Sequence, residues 1–194
     1  MIKKNKNFNK KYTNNSKSKR GSKVPKKLID EIIRVDHAGE YGATKIYAGQ
    51  LIVFGKNSKI GKTIKHMANQ EQKHIDTFNK LIIEKRVRPT ALMPVWNLTG
   101  YLLGITTALM GKKAAMACTV AVEDVIGKHY EKQAKQLGNK DPKLKKIILE
   151  FRDDELEHHD IGIEHEAEKT PGYNILSKVI KIGCKTAIEI SKKI

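Results

Sequence analysis

Two short segments, Glu71-Gln72-Lys73-His74 and Glu155-Leu156-Glu157-His158, constrain the fold of this chain more than any other feature. Each sets a carboxylate and an imidazole three residues apart. On a helix such residues are surface neighbours, roughly 5–6 Å apart at Cβ, and can reach a common ion. The first pair lies in a stripe of Ile64, Met67, Glu71, His74, Phe78 and Leu81. The second lies in a stripe of Leu144, Ile148, Phe151, Glu155, His158, Gly162 and His165. Both stripes advance by threes and fours, the spacing of a bundle's inward face, so the polar residues share a register with apolar ones. A lone glutamate precedes each pair: Glu40 stands 31 residues before Glu71, and Glu123 stands 32 before Glu155. With 13 Glu and 7 His in the chain, chance alone supplies about half of one Glu-x-x-His match. Two matches in one register, each with its upstream glutamate, predict a dinuclear metal centre built from four helices.

The remaining sequence fits that frame. Pro25 suits the opening turn of a helix running to about Phe54, with Ile33, His37, Glu40, Tyr47, Leu51 and Phe54 on one face. A second helix is expected over 59–85. A third, over 113–137, carries Met116, Val120, Glu123, Gly127, Tyr130, Ala134 and Leu137 on one face. Asp141 then reads as the cap of a fourth, with Pro142 at its first position. Between the two helix pairs lies an apolar stretch from Val87 to Gly111, interrupted by Pro89, Pro94 and Gly100. It is too long for a tight turn and reads as a crossover. Residues 174–194 read as a basic amphipathic helix, with Ile175, Leu176, Val179, Ile182 and Ile188 among lysines. The expected architecture is all-α: a ferritin-like four-helix bundle over 25–194, with a long apolar crossover and a C-terminal amphipathic helix.

Charge narrows the function classes. The net charge is +17, and residues 1–27 carry eleven Lys or Arg without an acid, so residues 28–194 hold only +6. The stretch 1–24 is rich in Lys, Asn and Ser and is expected to be disordered. No groove-reading motif or aromatic interleaving accompanies it, so nucleic acid is not the expected partner. Attraction to anionic lipid headgroups fits better. No run of twenty apolar residues offers a membrane span. Cys118 and Cys184 have no metal-ligand spacing and are expected to be reduced thiols in an intracellular protein.

Four carboxylates in a bundle core would repel one another unless cations neutralised them. Two divalent ions match four negative charges, and carboxylate oxygen with one imidazole per ion favours iron or manganese. The ligand set expected is Glu40, Glu71, His74, Glu123, Glu155 and His158. His159 also faces Glu155 at i+4, but only His158 repeats the spacing of His74. His37, His129 and His165 are expected to be core or supporting groups. Tyr130, two turns from Glu123, is either packing or a hydrogen-bonding neighbour of the site.

The stretches DHAGEYGATKIYAGQ (36–50), QEQKH (70–74), CTVAVEDVIGKHY (118–130) and FRDDELEHHDIGIEHEAE (151–168) resemble the demethoxyubiquinone hydroxylases of ubiquinone biosynthesis. The similarity spans about 26–194, and all six ligand positions of that family are filled here. The resemblance implies an O2-dependent di-iron monooxygenase that holds two iron ions (Fe2+/Fe3+) in catalysis. Its substrate would be a polyprenylated 6-methoxy-3-methyl-1,4-benzoquinone or its quinol. It further implies an external electron donor, with reduced nicotinamide (NADH) or the quinol itself as source, and supporting or electron-transfer roles for His129 and Tyr130. No GxGxxG fold accompanies these motifs, so a tightly held nicotinamide is not expected.

A prenylated quinone lives in the bilayer. The crossover, including Leu92, Met93, Val95, Trp96, Leu98, Tyr101, Leu102, Leu103 and Ile105, is therefore expected to meet the interface and admit the tail, with simple packing along the bundle as the alternative. A peripheral protein on the cytoplasmic side of a bacterial cell membrane is expected, with homo-oligomers or an accessory lipid-binding protein as further partners. The alternatives are an iron-storage or ferroxidase bundle using the same ligands, and a lipid-binding bundle without catalysis.

Overall fold

Six helices account for nearly all of residues 25–193, the part that the computed structural model describes. The expectation of a disordered tail over 1–24 lies outside the described residues. The helices are α1 (Lys26–Phe54), α2 (Lys59–Lys85), α3 (Met93–Leu109), α4 (Lys112–Leu137), α5 (Pro142–Glu164) and α6 (Tyr173–Ser191), with a 3-10 turn at Ala167–Lys169. Helices α1, α2, α4 and α5 make the bundle, compatible with the ferritin-like architecture.

Local chemistry sets their ends. Ser58 caps α2, its hydroxyl accepting from the Gly61 amide. Asp141 caps α5 by accepting from Leu144 N at 3.0 Å, with Pro142 in the first turn where it has no amide to lose. Every residue of the α2 and α4 stripes is buried. Apolar clusters close both ends of the bundle. Ile33, Phe78, Leu137 and Ile148 pack at one end, and Ile64, Met67, Met116 and Val120 at the other. The six candidate ligands fall between these two plugs.

The segment between α2 and α4 departs from the sequence expectation. Gly100 does not interrupt it; the chain is helical from Met93 to Leu109, with Pro94 in the first turn. Gly100 and Gly104 instead let α3 lie directly on α1. A Cβ on Gly104 would sit 2.1 Å from the Ile46 carbonyl oxygen, and one on Gly100 would sit 2.9 Å from that of Gly42. The missing side chains allow a backbone-to-backbone approach that larger residues would prevent.

The last helix also differs from a one-faced amphipath. Ile180 is buried and Leu176 and Cys184 are half-buried against α4, whereas Ile175, Val179 and Ile182 point outward. Its apolar residues therefore divide between two faces. Lys181 fastens it to α4 through Asp124 at 2.9 Å, and Arg34 of α1 donates to the Lys192 carbonyl at its C-terminus. Among the described residues, no helix is long and apolar enough to cross a membrane.

Candidate metal centre

The inward stripes bring all six expected residues together. Glu40, Glu71, His74 and Glu155 offer four donor atoms within 4.8 Å of one another, and so do Glu71, Glu123, Glu155 and His158. Glu71 and Glu155 belong to both sets. Each gives one carboxylate oxygen to each histidine. Glu71 Oε2 lies 3.8 Å from His74 Nδ1, and its Oε1 lies 3.2 Å from His158 Nδ1. Glu155 Oε1 lies 3.3 Å from His74 Nδ1, and its Oε2 lies 3.2 Å from His158 Nδ1. Glu71 and Glu155 thus lie between the two histidines, while Glu40 and Glu123 each belong to one set alone.

All six residues are essentially shut off from solvent. Even so, both oxygens of Glu71, Glu155 Oε2 and His158 Nδ1 lack an aligned hydrogen-bond partner. These atoms approach one another to 3.2 Å without an aligned hydrogen bond between them. Buried polar atoms are otherwise almost always satisfied, so this set fits metal ions. With neither sulfur nor amide in the ligand set, hard-to-borderline ions such as iron or manganese suit it.

Without an ion, protons must balance the cluster. Burial pushes the Glu71 and Glu123 carboxyls well above the ordinary range, with the charge of Glu155 adding to the effect. Burial and the Glu155 charge likewise raise Glu40 to about 7. Burial also opposes charge on Glu155 and on both imidazoles, but their mutual attraction overcomes it. Glu155 falls to about 2, while His74 rises to about 12 and His158 to about 11.

Neighbouring residues fix the ligands' orientation. Tyr130 donates to Glu40 Oε1, and Tyr47 donates to Glu123 Oε1 at 2.8 Å. His74 Nε2 meets Asp154 Oδ2 at 2.9 Å, and His158 Nε2 meets Gln70 Oε1 at 3.1 Å. A proton on each Nε2 leaves each Nδ1 free to face the cluster. Phe151 stacks on His74 with ring centres 3.9 Å apart.

The other expected groups stand apart from this cluster. His129 is not hydrogen-bonded to any of the six; it accepts from the Gln133 amide, which also donates to buried Asp36. His37 pairs with Asn79, His165 with the Ile161 carbonyl, and His159 faces Asp160 at the surface. Sequence reasoning missed Tyr47, Asp154 and Gln70. Their signal was present: Tyr47 follows Glu40 by seven residues, as Tyr130 follows Glu123, and Gln70 and Asp154 each directly precede a Glu-x-x-His glutamate.

A cavity of about 420 Å3 opens between α1, α3, α4 and α6. Its wall is almost wholly apolar and includes Gly39 and Val122, each one residue from an outer carboxylate. That volume lies within the ordinary range of about 300–1,000 Å3 for ligand pockets.

Comparison with known proteins agrees with this geometry. The model of the family described as "Ubiquinone biosynthesis protein COQ7" matches residues 27–191. The chain belongs to this family. It is 53% identical over 175 residues to the NADPH-dependent 3-demethoxyubiquinone 3-hydroxylase, mitochondrial, of Bos taurus, covering 88% of this chain and 80% of that one. Against the protein of the same name from Dictyostelium discoideum the identity is 55% over 175 residues, covering 89% and 80%. Against the 3-demethoxyubiquinol 3-hydroxylase of Rhodospirillum rubrum it is 47% over 174 residues, covering 90% and 82%. Membership of the COQ7 family makes this chain an enzyme of the hydroxylase class and separates it from the storage and non-catalytic alternatives.

Proposed function

We propose that this COQ7-family protein is a di-iron monooxygenase that hydroxylates the ring of a polyprenylated demethoxyubiquinol. The observation that carries the reading is the pair of four-donor sets sharing Glu71 and Glu155, set against an apolar cavity. The relatives' names supply the substrate class.

In this reading Glu40, Glu71, His74 and Glu155 would hold one iron, and Glu71, Glu123, Glu155 and His158 would hold the other. A bound iron pair supplies reductive activation of O2 and delivery of one oxygen atom to the ring. The protein's part is positional. Tyr130 and Tyr47 hold the outer carboxylates in single orientations, and the apolar plugs above and below exclude bulk water. The cavity accepts the quinone ring beside Gly39 and Val122, with its prenyl tail leaving between α3 and α6. The second oxygen atom leaves as water, which takes two electrons and two protons. The relatives named NADPH-dependent support a reduced nicotinamide as electron source.

A tail emerging between α3 and α6 requires a membrane surface. Val179, which lines the cavity on α6, is 62% exposed, and Leu98 on α3 is 61% exposed. Peripheral association is the natural arrangement, because these residues would insert only to headgroup depth. The eukaryotic relatives carry the word mitochondrial in their names. We keep the cytoplasmic face of a bacterial membrane as the expected location, testable by cell fractionation.

The test uses protein loaded anaerobically with Fe2+, a short-chain demethoxyquinone, NADPH and 18O2. One 18O atom in the hydroxylated product is the expected result. Uncoupled oxidation of iron with uptake far above two ions per chain would instead return the reading to storage.

A further inference from the structure

The site is built from two similar halves, α1–α2 and α4–α5, and its supporting residues cross between them. Tyr47 of the first half bonds Glu123 of the second, and Tyr130 of the second bonds Glu40 of the first. The same exchange holds for the imidazoles. Asp154, directly before Glu155, reaches His74, and Gln70, directly before Glu71, reaches His158. The repeat is broken in one chemical respect: His74 rests on a carboxylate, His158 on a carboxamide.

The orientation of that carboxamide is fixed. Gln70 Nε2 donates to Glu157 Oε2 at 3.1 Å, so its Oε1 must face the ring of His158. The Glu157 carboxylate is thus one hydrogen bond further from its histidine than Asp154 is from His74. It is also half exposed and shared with His66 at 3.5 Å. A carboxylate accepting the Nε2 proton makes the opposite nitrogen a more basic ligand, and loss of such a partner typically lowers metal affinity about 10–100-fold.

We propose that this difference makes the two metal positions unequal. The position of Glu40 and His74 takes its ion first and holds it more tightly, and Asp154 and Gln70 act as positioning residues through the imidazoles. The inference rests on the dinuclear reading above and adds the order of filling. Its consequence is directional: an ion beside His74 would meet the stronger imidazole donor of the two.

Cobalt makes the order visible. In metal-free full-length protein titrated with Co2+, each ligated histidine gives a solvent-exchangeable Nε2–H proton resonance shifted outside the ordinary range. His74→Ala and His158→Ala assign the two resonances by their absence. In the wild type the His74 resonance should dominate at one equivalent and that of His158 should follow at the second. Gln70→Glu should bring the two affinities within about tenfold of each other. Asp154→Asn combined with Gln70→Glu should reverse the order. Simultaneous growth of both resonances in the wild type, or an unreversed order in the double variant, overturns the proposal. Should the double variant fail to fold, an unchanged affinity ratio in Gln70→Glu overturns it equally. Protein that takes up no stoichiometric cobalt at either position would remove the dinuclear reading itself.

Discussion

Burial of His74 and His158 among carboxylates has a measurable price at the scale of single residues. In the metal-free protein both imidazoles keep their protons far above neutrality, to about 12 and about 11. An ion can occupy either half only after the Nδ1 proton departs. Loading the pair therefore releases at least two protons, with the raised Glu71 and Glu123 carboxyls adding to them, and affinity for the pair should fall by at least about a hundredfold for each unit that the pH is lowered. Competition against a chromophoric chelator between pH 6 and 8, with proton release followed in weak buffer, measures this directly; a flat profile would contradict it. Glu71→Gln isolates the bridging role. It preserves shape but replaces the carboxylate that both donor sets share, so bound metal should fall by at least half while helical content stays unchanged. The six ligand candidates were legible because two pairs and two upstream glutamates repeat in one register. Asp154 and Gln70 were only half legible: the sequence places each directly before a Glu-x-x-His glutamate, but which imidazole it meets depends on a helix across the bundle.

At the scale of elements, the informative contact is α3 on α1. A methyl group at Gly104 would meet the Ile46 carbonyl oxygen at 2.1 Å and the Gln50 amide nitrogen at 3.1 Å. Both are backbone atoms, so no rotamer change relieves the clash and α3 must move away. Gly104→Ala should cost about 1–3 kcal/mol, read as a lower thermal midpoint. Gly127→Ala in α4 is the control: nothing lies within 4 Å of its Cβ. Its gain in helix propensity, about 1 kcal/mol, should leave the midpoint level or higher. This contact also explains what the sequence concealed. Pro89, Pro94 and Gly100 read as interruptions of a loose crossover. Yet Pro94 occupies a first turn, where proline is tolerated, and Gly100 is selected by close packing rather than by a break. For α6, hydropathy identified an amphipathic helix but not its two apolar faces, because the inner one is defined by α4 and α1.

At the scale of the whole molecule, the helices enclose two compartments with different demands. On the proposed reading the carboxylate–histidine cluster stays dry and rigid, while the cavity admits a long apolar molecule. A substitution that fills only the second should separate them, and Gly42 offers the place. It lines the cavity on α1, and no atom lies within 4 Å of where its Cβ would be. The Cβ of Gly42→Leu therefore meets no neighbour, the rest of its side chain takes up space in the cavity, and α1 gains in helix propensity. Iron content and thermal midpoint should match the wild type. Turnover of a prenylated demethoxyquinone should instead show KM raised by about tenfold or more, the order expected when about 1.4 kcal/mol of apolar contact is lost. A quinone without a prenyl tail should be affected less, because the obstruction lies along the tail's route and leaves the donor atoms untouched. Equal loss for both substrates would mean that the cavity does not carry the tail. Loss of iron would mean that the two compartments are not independent.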